Sequence, residues 1–127
     1  MYIILNEDSS LPIYEQIIKA IKEALVKGTI ASGDMLPSIR SLAKDLQISV
    51  ITTKRAYEEL EKEGLIYSVP GKGFYIKETN SDFLKEQQIK ELETQLEQWL
   101  SDAAALGLSR AEINAMIDLL WKGGKLS

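Results

Sequence analysis

Apolar residues recur at helical intervals over three stretches before residue 64 and two after residue 80. Ile13, Ile17, Ala20, Ile21, Ala24 and Leu25 follow the three- and four-residue spacing of one buried face and predict a helix over about 13–27. Pro12 suits its first turn and Gly28 its end. Tyr2-Ile3-Ile4-Leu5 before it reads as a short extended segment, and Ser32-Gly33-Asp34 after it as a turn. A shorter helix is expected over about 38–46, started by Pro37 and Ser38, with Leu42, Ala43 and Leu46 inward and Ile39 flanking. Gln47-Ile48 connects it to a third helix over about 50–63. Ser49 is that helix's candidate N-cap, Ala56, Tyr57 and Leu60 are its inner face, and Gly64 its stop.

The period then changes. Leu65-Ile66-Tyr67-Ser68-Val69 and Phe74-Tyr75-Ile76, joined by Pro70-Gly71-Lys72-Gly73, read as two short strands and a turn. Glu78-Thr79-Asn80 is a linker. From Leu84 a long helix carries Ile89, Leu92, Leu96, Trp99 and Ala103 at alternating threes and fours, a heptad-like stripe, and Gly107 ends it. Ser109 and Glu112 have the spacing of a capping box, with Leu108 and Ile113 as the accompanying apolar staple. A last helix is expected to about Lys122, with Ile113, Met116, Ile117, Leu120 and Trp121 on one side and Gly123-Gly124 beyond it.

Composition excludes several chemistries. The 127 residues contain no cysteine and no histidine. That removes disulfides, thiolate metal sites, Ser-His-Asp triads and histidine-based acid–base catalysis. No metal, no cofactor and no enzymatic activity are expected. No stretch approaches the roughly 20 apolar residues of a membrane span, and Met1–Leu11 lacks the basic start of a signal peptide. A cytoplasmic location away from membranes is the expectation. The net charge is −4, but it is unevenly placed. Residues 1–79 carry ten basic and eleven acidic side chains, and residues 80–127 five and eight. Within 36–77 the count is seven basic against five acidic, and Glu58, Glu59, Glu61 and Glu63 crowd the end of the third helix, leaving its start basic.

Two short helices joined by a tight turn and followed by a hairpin make a winged helix-turn-helix. The second helix of such a pair enters the DNA major groove amino end first. The residues that would then meet base edges and phosphates are Ser49, Thr52, Thr53, Lys54 and Arg55, all small hydroxyls or cations. The glutamates from Glu58 onward would lie away from the anionic backbone. Pro70-Gly71-Lys72-Gly73-Phe74 lacks the earlier glycine and the following Ser/Thr of a phosphate loop and is read as a wing turn. The four glutamates are read as solvated helix surface.

Four runs carry a family resemblance. Leu36-Pro37-Ser38-Ile39-Arg40-Ser41-Leu42-Ala43, Ile48-Ser49, Ala56 to Ile66, and Gly71-Lys72-Gly73-Phe74 together resemble the GntR family of bacterial transcription regulators over roughly residues 10–77. The resemblance implies that Ser38 and Arg40, at the start of the second helix, and Ser49, Thr52 and Lys54 of the recognition helix contact the operator. It also implies that Gly71, Lys72 and Gly73 place the wing tip at the minor groove. Many members carry arginine after the serine that caps the recognition helix, whereas this chain has Val50 followed by Ile51. A cation is missing here and an apolar side chain is offered to a thymine methyl group. This departure touches the base code rather than the docking mode.

The 48 residues after Thr79 are too few for a large effector-binding domain. Gly107-Leu108-Ser109 and Leu119-Leu120-Trp121 resemble the short two-helix tail of the family's YtrA-like subfamily, which implies transporter genes as targets. A two-helix hairpin is a poor core by itself, and pairing two copies would bury Leu92, Leu96, Trp99, Leu100, Ala103, Ile113, Met116, Ile117, Leu120 and Trp121 in a helical bundle. The expected fold is therefore mainly α with a small β wing. Residues 1–79 form a winged helix-turn-helix DNA-binding domain, and residues 80–127 a two-helix dimerisation domain. The expected partners are a palindromic double-stranded DNA operator and a second copy of the chain. An unidentified small-molecule effector between the winged helices and the bundle is a further candidate. The expected activity is that of a sequence-specific repressor. The rival is a winged-helix protein-interaction module with weak, non-specific DNA binding.

Overall fold

Local capping signals set the limits of nearly every element. In the computed structural model, which describes residues 3–121, Pro12 precedes α1 (Ile13–Lys27) and Gly28, at φ +79°, ends it. The Thr29 N–H returns to Ala24 O at 3.0 Å, and a left-handed residue is what this closure requires. Ser38 starts α2 (Ile39–Leu46) by accepting the Ser41 N–H on its Oγ at 3.0 Å. Gln47 turns the chain in the left-handed region, φ +57°, and Ser49 caps α3 (Val50–Lys62) through the Thr52 N–H at 3.0 Å. Three residues thus separate the two helices. The extended segment expected at 2–5 is not a strand over Ile3–Leu5. Tyr2, Lys122, Gly123 and Gly124 lie outside the described residues.

The core of this part joins Ile17, Ile21 and Leu25 of α1 to Leu42 of α2 and to Ala56, Tyr57 and Leu60 of α3, with Ile66 and Ile76 closing it. β1 (Ile66–Val69) pairs antiparallel with β2 (Gly73–Ile76) in the register Ile66 to Ile76. At the tip the Lys72 N–H bonds Val69 O at 2.9 Å, and Gly71 (φ +77°) and Gly73 (φ +123°) supply the backbone angles the reversal needs. The free edge of β2 is not left open. Met35 bridges Tyr75, the Leu36 N–H bonds Phe74 O at 2.9 Å, and the Ile76 N–H bonds Asp34 O at 2.8 Å. The expected turn at 32–34 therefore runs straight into a third, strand-like edge segment.

Tyr57 ties these layers together. It is fully buried, its ring meets Phe74 edge-on at 5.1 Å, and its hydroxyl donates to Pro37 O at 2.7 Å. Burial pushes the phenol's pKa well up, so the hydroxyl stays a donor.

The chain resolves into two compact units, Met1–Lys85 and Glu86–Ser127. The long helix α4 (Ser81–Ala105) begins three residues before the expected Leu84, because Asn80 Oδ1 accepts the N–H groups of Asp82 (3.0 Å) and Phe83 (3.2 Å). Leu84 is buried in the first core, so the division falls inside α4 rather than at Thr79.

In the second unit, Gly107 (φ +79°) turns the chain into α5 (Arg110–Trp121), and the Leu108 N–H returns to Ala103 O at 3.1 Å. Ala103 and Ile113 are only 4% and 8% exposed in the single chain. Both were expected at a dimer contact, but no second copy is needed to cover them. Leu92, Leu96, Trp99, Leu100, Met116, Ile117, Leu120 and Trp121 remain exposed.

The capping box forms as its spacing predicts. The Ser109 N–H donates to Glu112 Oε1 and the Glu112 N–H to Ser109 Oγ, each at 3.1 Å. The backbone bond from Ser109, then its hydroxyl, holds the Glu112 carboxyl below its ordinary 4.5. A depressed carboxylate stabilises the fold above its unfolded-state pKa and loses that effect as pH falls through the folded value. A carboxyl-carbon NMR titration should place the Glu112 midpoint below 4.5, and Ser109→Ala should move it up. The Ser109 backbone bond survives in Ser109→Ala, so an unchanged midpoint would show that the hydroxyl contributes nothing to the shift.

Candidate nucleic-acid interface

The start of α3 gathers the polar and apolar groups that the turn delivers to the surface. Ser49, Val50, Ile51, Lys54 and Arg55 are exposed and Thr52 half-buried. Ser38 and Arg40, at the start of α2, are exposed as well, as are Gly71 and Lys72 at the wing tip, whereas Gly73 is half-buried in β2.

Thr53 departs from expectation. It is fully buried and its Oγ1 donates to Ser49 O at 3.2 Å. At about 3.6 residues per turn, position 53 shares the core face with Ala56, Tyr57 and Leu60. It fastens the first turn of α3 and presents nothing to a ligand. The Ser49 hydroxyl is also engaged, donating to Thr52 Oγ1 at 2.8 Å while accepting the Thr52 N–H.

The cations differ in their freedom. Among the described residues the ion pairs are Lys22–Glu63, at 3.1 Å between α1 and the end of α3, and Lys62–Glu59 at 3.9 Å. Arg40, Lys54, Arg55 and Lys72 thus have no carboxylate partner there. Glu61 accepts the Ser68 hydroxyl of β1 at 3.1 Å. Three of the four glutamates near the end of α3 are therefore bonded to the protein's own groups, whereas the cations at its start are not paired with carboxylates.

Arg55 is held rather than loose. Its guanidinium lies 3.9 Å from the centre of the Tyr14 ring, and Nη2 donates to the Tyr14 hydroxyl at 3.2 Å. That hydroxyl donates to Glu15 Oε1 at 3.1 Å. The bond to Glu15 raises the Tyr14 pKa, desolvation adds to it, and Arg55 opposes both. Stacking leaves most of the five guanidinium N–H groups free for phosphate oxygens. Tyr14 was not among the expected contacts, since the periodicity of α1 marks only its apolar face.

On the wing, Tyr67 and Tyr75 stack across the strands at 5.8 Å. No group of His, Cys, Asp or Glu among the described residues is arranged to hold a metal ion. No helix there is long and apolar enough to cross a membrane.

Comparison with known proteins places this geometry. Residues 13–76 match the family described as bacterial regulatory proteins, gntR family. The chain is 40% identical over 120 residues to the HTH-type transcriptional repressor YtrA of Bacillus subtilis, covering 92% of each chain. A crystal structure of a transcriptional antiterminator from Listeria monocytogenes EGD-e superposes with a TM-score of 0.70 at 33% identity, over 97% of this chain and 92% of that one. The DNA-binding domain of AraR in complex with operator ORX1 superposes with a TM-score of 0.53 at 26% identity, over 60% of this chain and 95% of that one. The YtrA and antiterminator likenesses cover more than nine-tenths of this chain and so take in the tail, whereas the AraR likeness covers 60% of it. Sharing both the winged helix and the two-helix tail with such regulators, the chain belongs to the gntR family, as a YtrA-like DNA-binding transcription regulator and not an enzyme.

Proposed function

We propose that this protein is a homodimeric repressor that binds a palindromic operator through α2, α3 and the wing, and holds its two copies together through the tail. The observation that carries the reading is the separation of charge on α3, with Lys54 and Arg55 lacking carboxylate partners at its start and Glu61 and Glu63 bonded to β1 and α1 at its end. The groups assigned to the DNA are Ser38, Arg40, Ser49, Val50, Thr52, Lys54 and Arg55, with Gly71, Lys72 and Gly73 at the wing. The name of the Bacillus relative, a repressor, supports the sign of regulation. The operator complex of AraR supports the docking mode. A two-fold dimer presents two recognition helices to half-sites about one helical turn apart.

The test is selection of bound duplexes from a random pool by the purified protein. A palindromic site should emerge, and a genome search with it would give the regulated genes, transporter genes being the first to inspect. Absence of enrichment at every salt concentration sinks the operator reading and leaves a protein-binding winged helix.

Neutralisation of phosphates makes a second prediction. Each phosphate that a variant leaves unneutralised lowers the slope of log affinity against log salt by about 0.9, so Lys72→Ala, present twice in a dimer, should lower it by roughly two. Lys72→Ala should weaken all duplexes alike, whereas Lys54→Ala should also relax the sequence preference. Titrations at several salt concentrations decide it, and parental slopes in both variants would refute the docking.

A further inference from the structure

At the tip of α3, Lys54 is exposed without a carboxylate partner among the described residues and Thr52 is half-buried, but the other polar groups are engaged within the chain. Of its three hydroxyls, Ser49 directs its hydrogen to Thr52, and Thr53 is buried on Ser49 O. Arg55 is held against Tyr14. Beside Lys54 the tip presents Ile51, 80% exposed, with Val50 next to it at 44%. Position 51 lies two residues from Thr53, close to the far side of the helix from the core face. It shares that outer face with Arg55, Glu58 and Lys62 and is its only apolar member. An isoleucine left in water at the second position of a recognition helix has no packing role inside the chain.

The major groove offers one apolar group among the four bases, the C5-methyl of thymine. We infer that Ile51, assisted by Val50, reads thymine methyl groups in the operator, making Ile51 a specificity-determining residue of this regulator. The inference rests on the operator reading above and adds the chemistry of its base code. An isoleucine cannot donate to or accept from a base edge, so it discriminates by shape and desolvation. It favours thymine where a methyl fills the gap against its side chain, and leaves a void or a stranded polar edge where another base stands.

The experiment uses the selected operator and the full chain. Thymines in the half-sites are replaced one at a time by deoxyuridine, which removes the methyl and keeps the pairing and hydrogen-bond pattern. Affinities are measured for the parent, Ile51→Ala and Ile51→Val. At one or two positions the parent should lose about fourfold per methyl, the worth of one buried methyl-sized group. Ile51→Ala should lose a similar factor on the thymine operator and be indifferent to deoxyuridine at those positions. Ile51→Val should fall between. Position 51 is exposed, so the variants should keep the parental circular dichroism and melting temperature. If the parent binds every deoxyuridine duplex as well as the thymine one, or if the half-sites contain no thymine, the inference is overturned while operator binding stands. If no duplex is enriched at all, the operator reading falls and this inference with it.

Discussion

If the tail pairs two copies as proposed, Leu96→Glu should yield a monomer in sedimentation equilibrium and lower operator affinity by about 10²-fold or more, the usual scale of an avidity effect. Leu92, Leu96, Trp99 and Leu100 on α4 and Met116, Ile117, Leu120 and Trp121 on α5 are all exposed in the single chain. A run of large apolar side chains of this extent is rare on a monomer's surface and marks an interaction site. Ala103 and Ile113 are already covered, so the proposed pairing draws on the outer part of the expected stripe. A carboxylate at Leu96 would have to be desolvated without a partner, which strongly opposes association. Position 96 lies in the second unit, outside the core that holds the winged helix. Each variant protomer should therefore still bind a single half-site, with the linkage between half-sites gone. A variant of parental mass and parental affinity would exclude α4 as the pairing surface.

The largest effect on stability is expected at Tyr57. Tyr57→Ala removes a ring from the centre of the first core and should cost about 3–5 kcal/mol, the range for deleting buried aromatic side chains. Against a total of about 5–15 kcal/mol for a typical domain, that leaves little. Tyr57→Phe keeps the ring and its edge contact with Phe74, and removes only the hydroxyl donated to Pro37 O. Its cost should be about 0.5–1.5 kcal/mol, the usual net worth of one hydrogen bond, since Pro37 is only half-buried. Pro37 directly precedes the cap of α2, so even the milder change should loosen the first helix of the DNA-reading pair. Denaturant melts of the three proteins measure both costs. Tyr57→Ala melting with the parent would mean that the core is not centred where its burial indicates.

Much of the fold is local in origin and was legible on that account. Ser38, Ser49 and the Ser109–Glu112 pair each bond a backbone group within three residues, so their spacing alone places the starts of α2, α3 and α5. Gly28, Gly64 and Gly107 stop helices through backbone angles that other residues resist. The Pro/Gly turn between two β-rich runs likewise predicts the wing, and the missing His and Cys exclude whole classes of catalyst. The four winged-helix runs carry enough matched positions to point to the family before any coordinates.

Other features depend on segments far apart in the chain. Thr52 and Thr53 are chemically alike and adjacent; only packing against the core buries the second and leaves the first at the surface. Arg55 finds Tyr14 forty-one residues away, and Lys22 finds Glu63 at the same separation. These contacts fix which charges of α3 are paired and which are left to solvent. The edge segment 33–36 lies beside β2 from about forty residues upstream, and Leu84 is drawn into the first core from across the linker. The elements, their caps and the family could be read from the order of residues, because those depend on neighbours within a turn or two and on composition. Which hydroxyls and cations reach the surface, and how far Ile51 stands out from it, emerged only on folding, because burial and ion pairing depend on which distant segments meet.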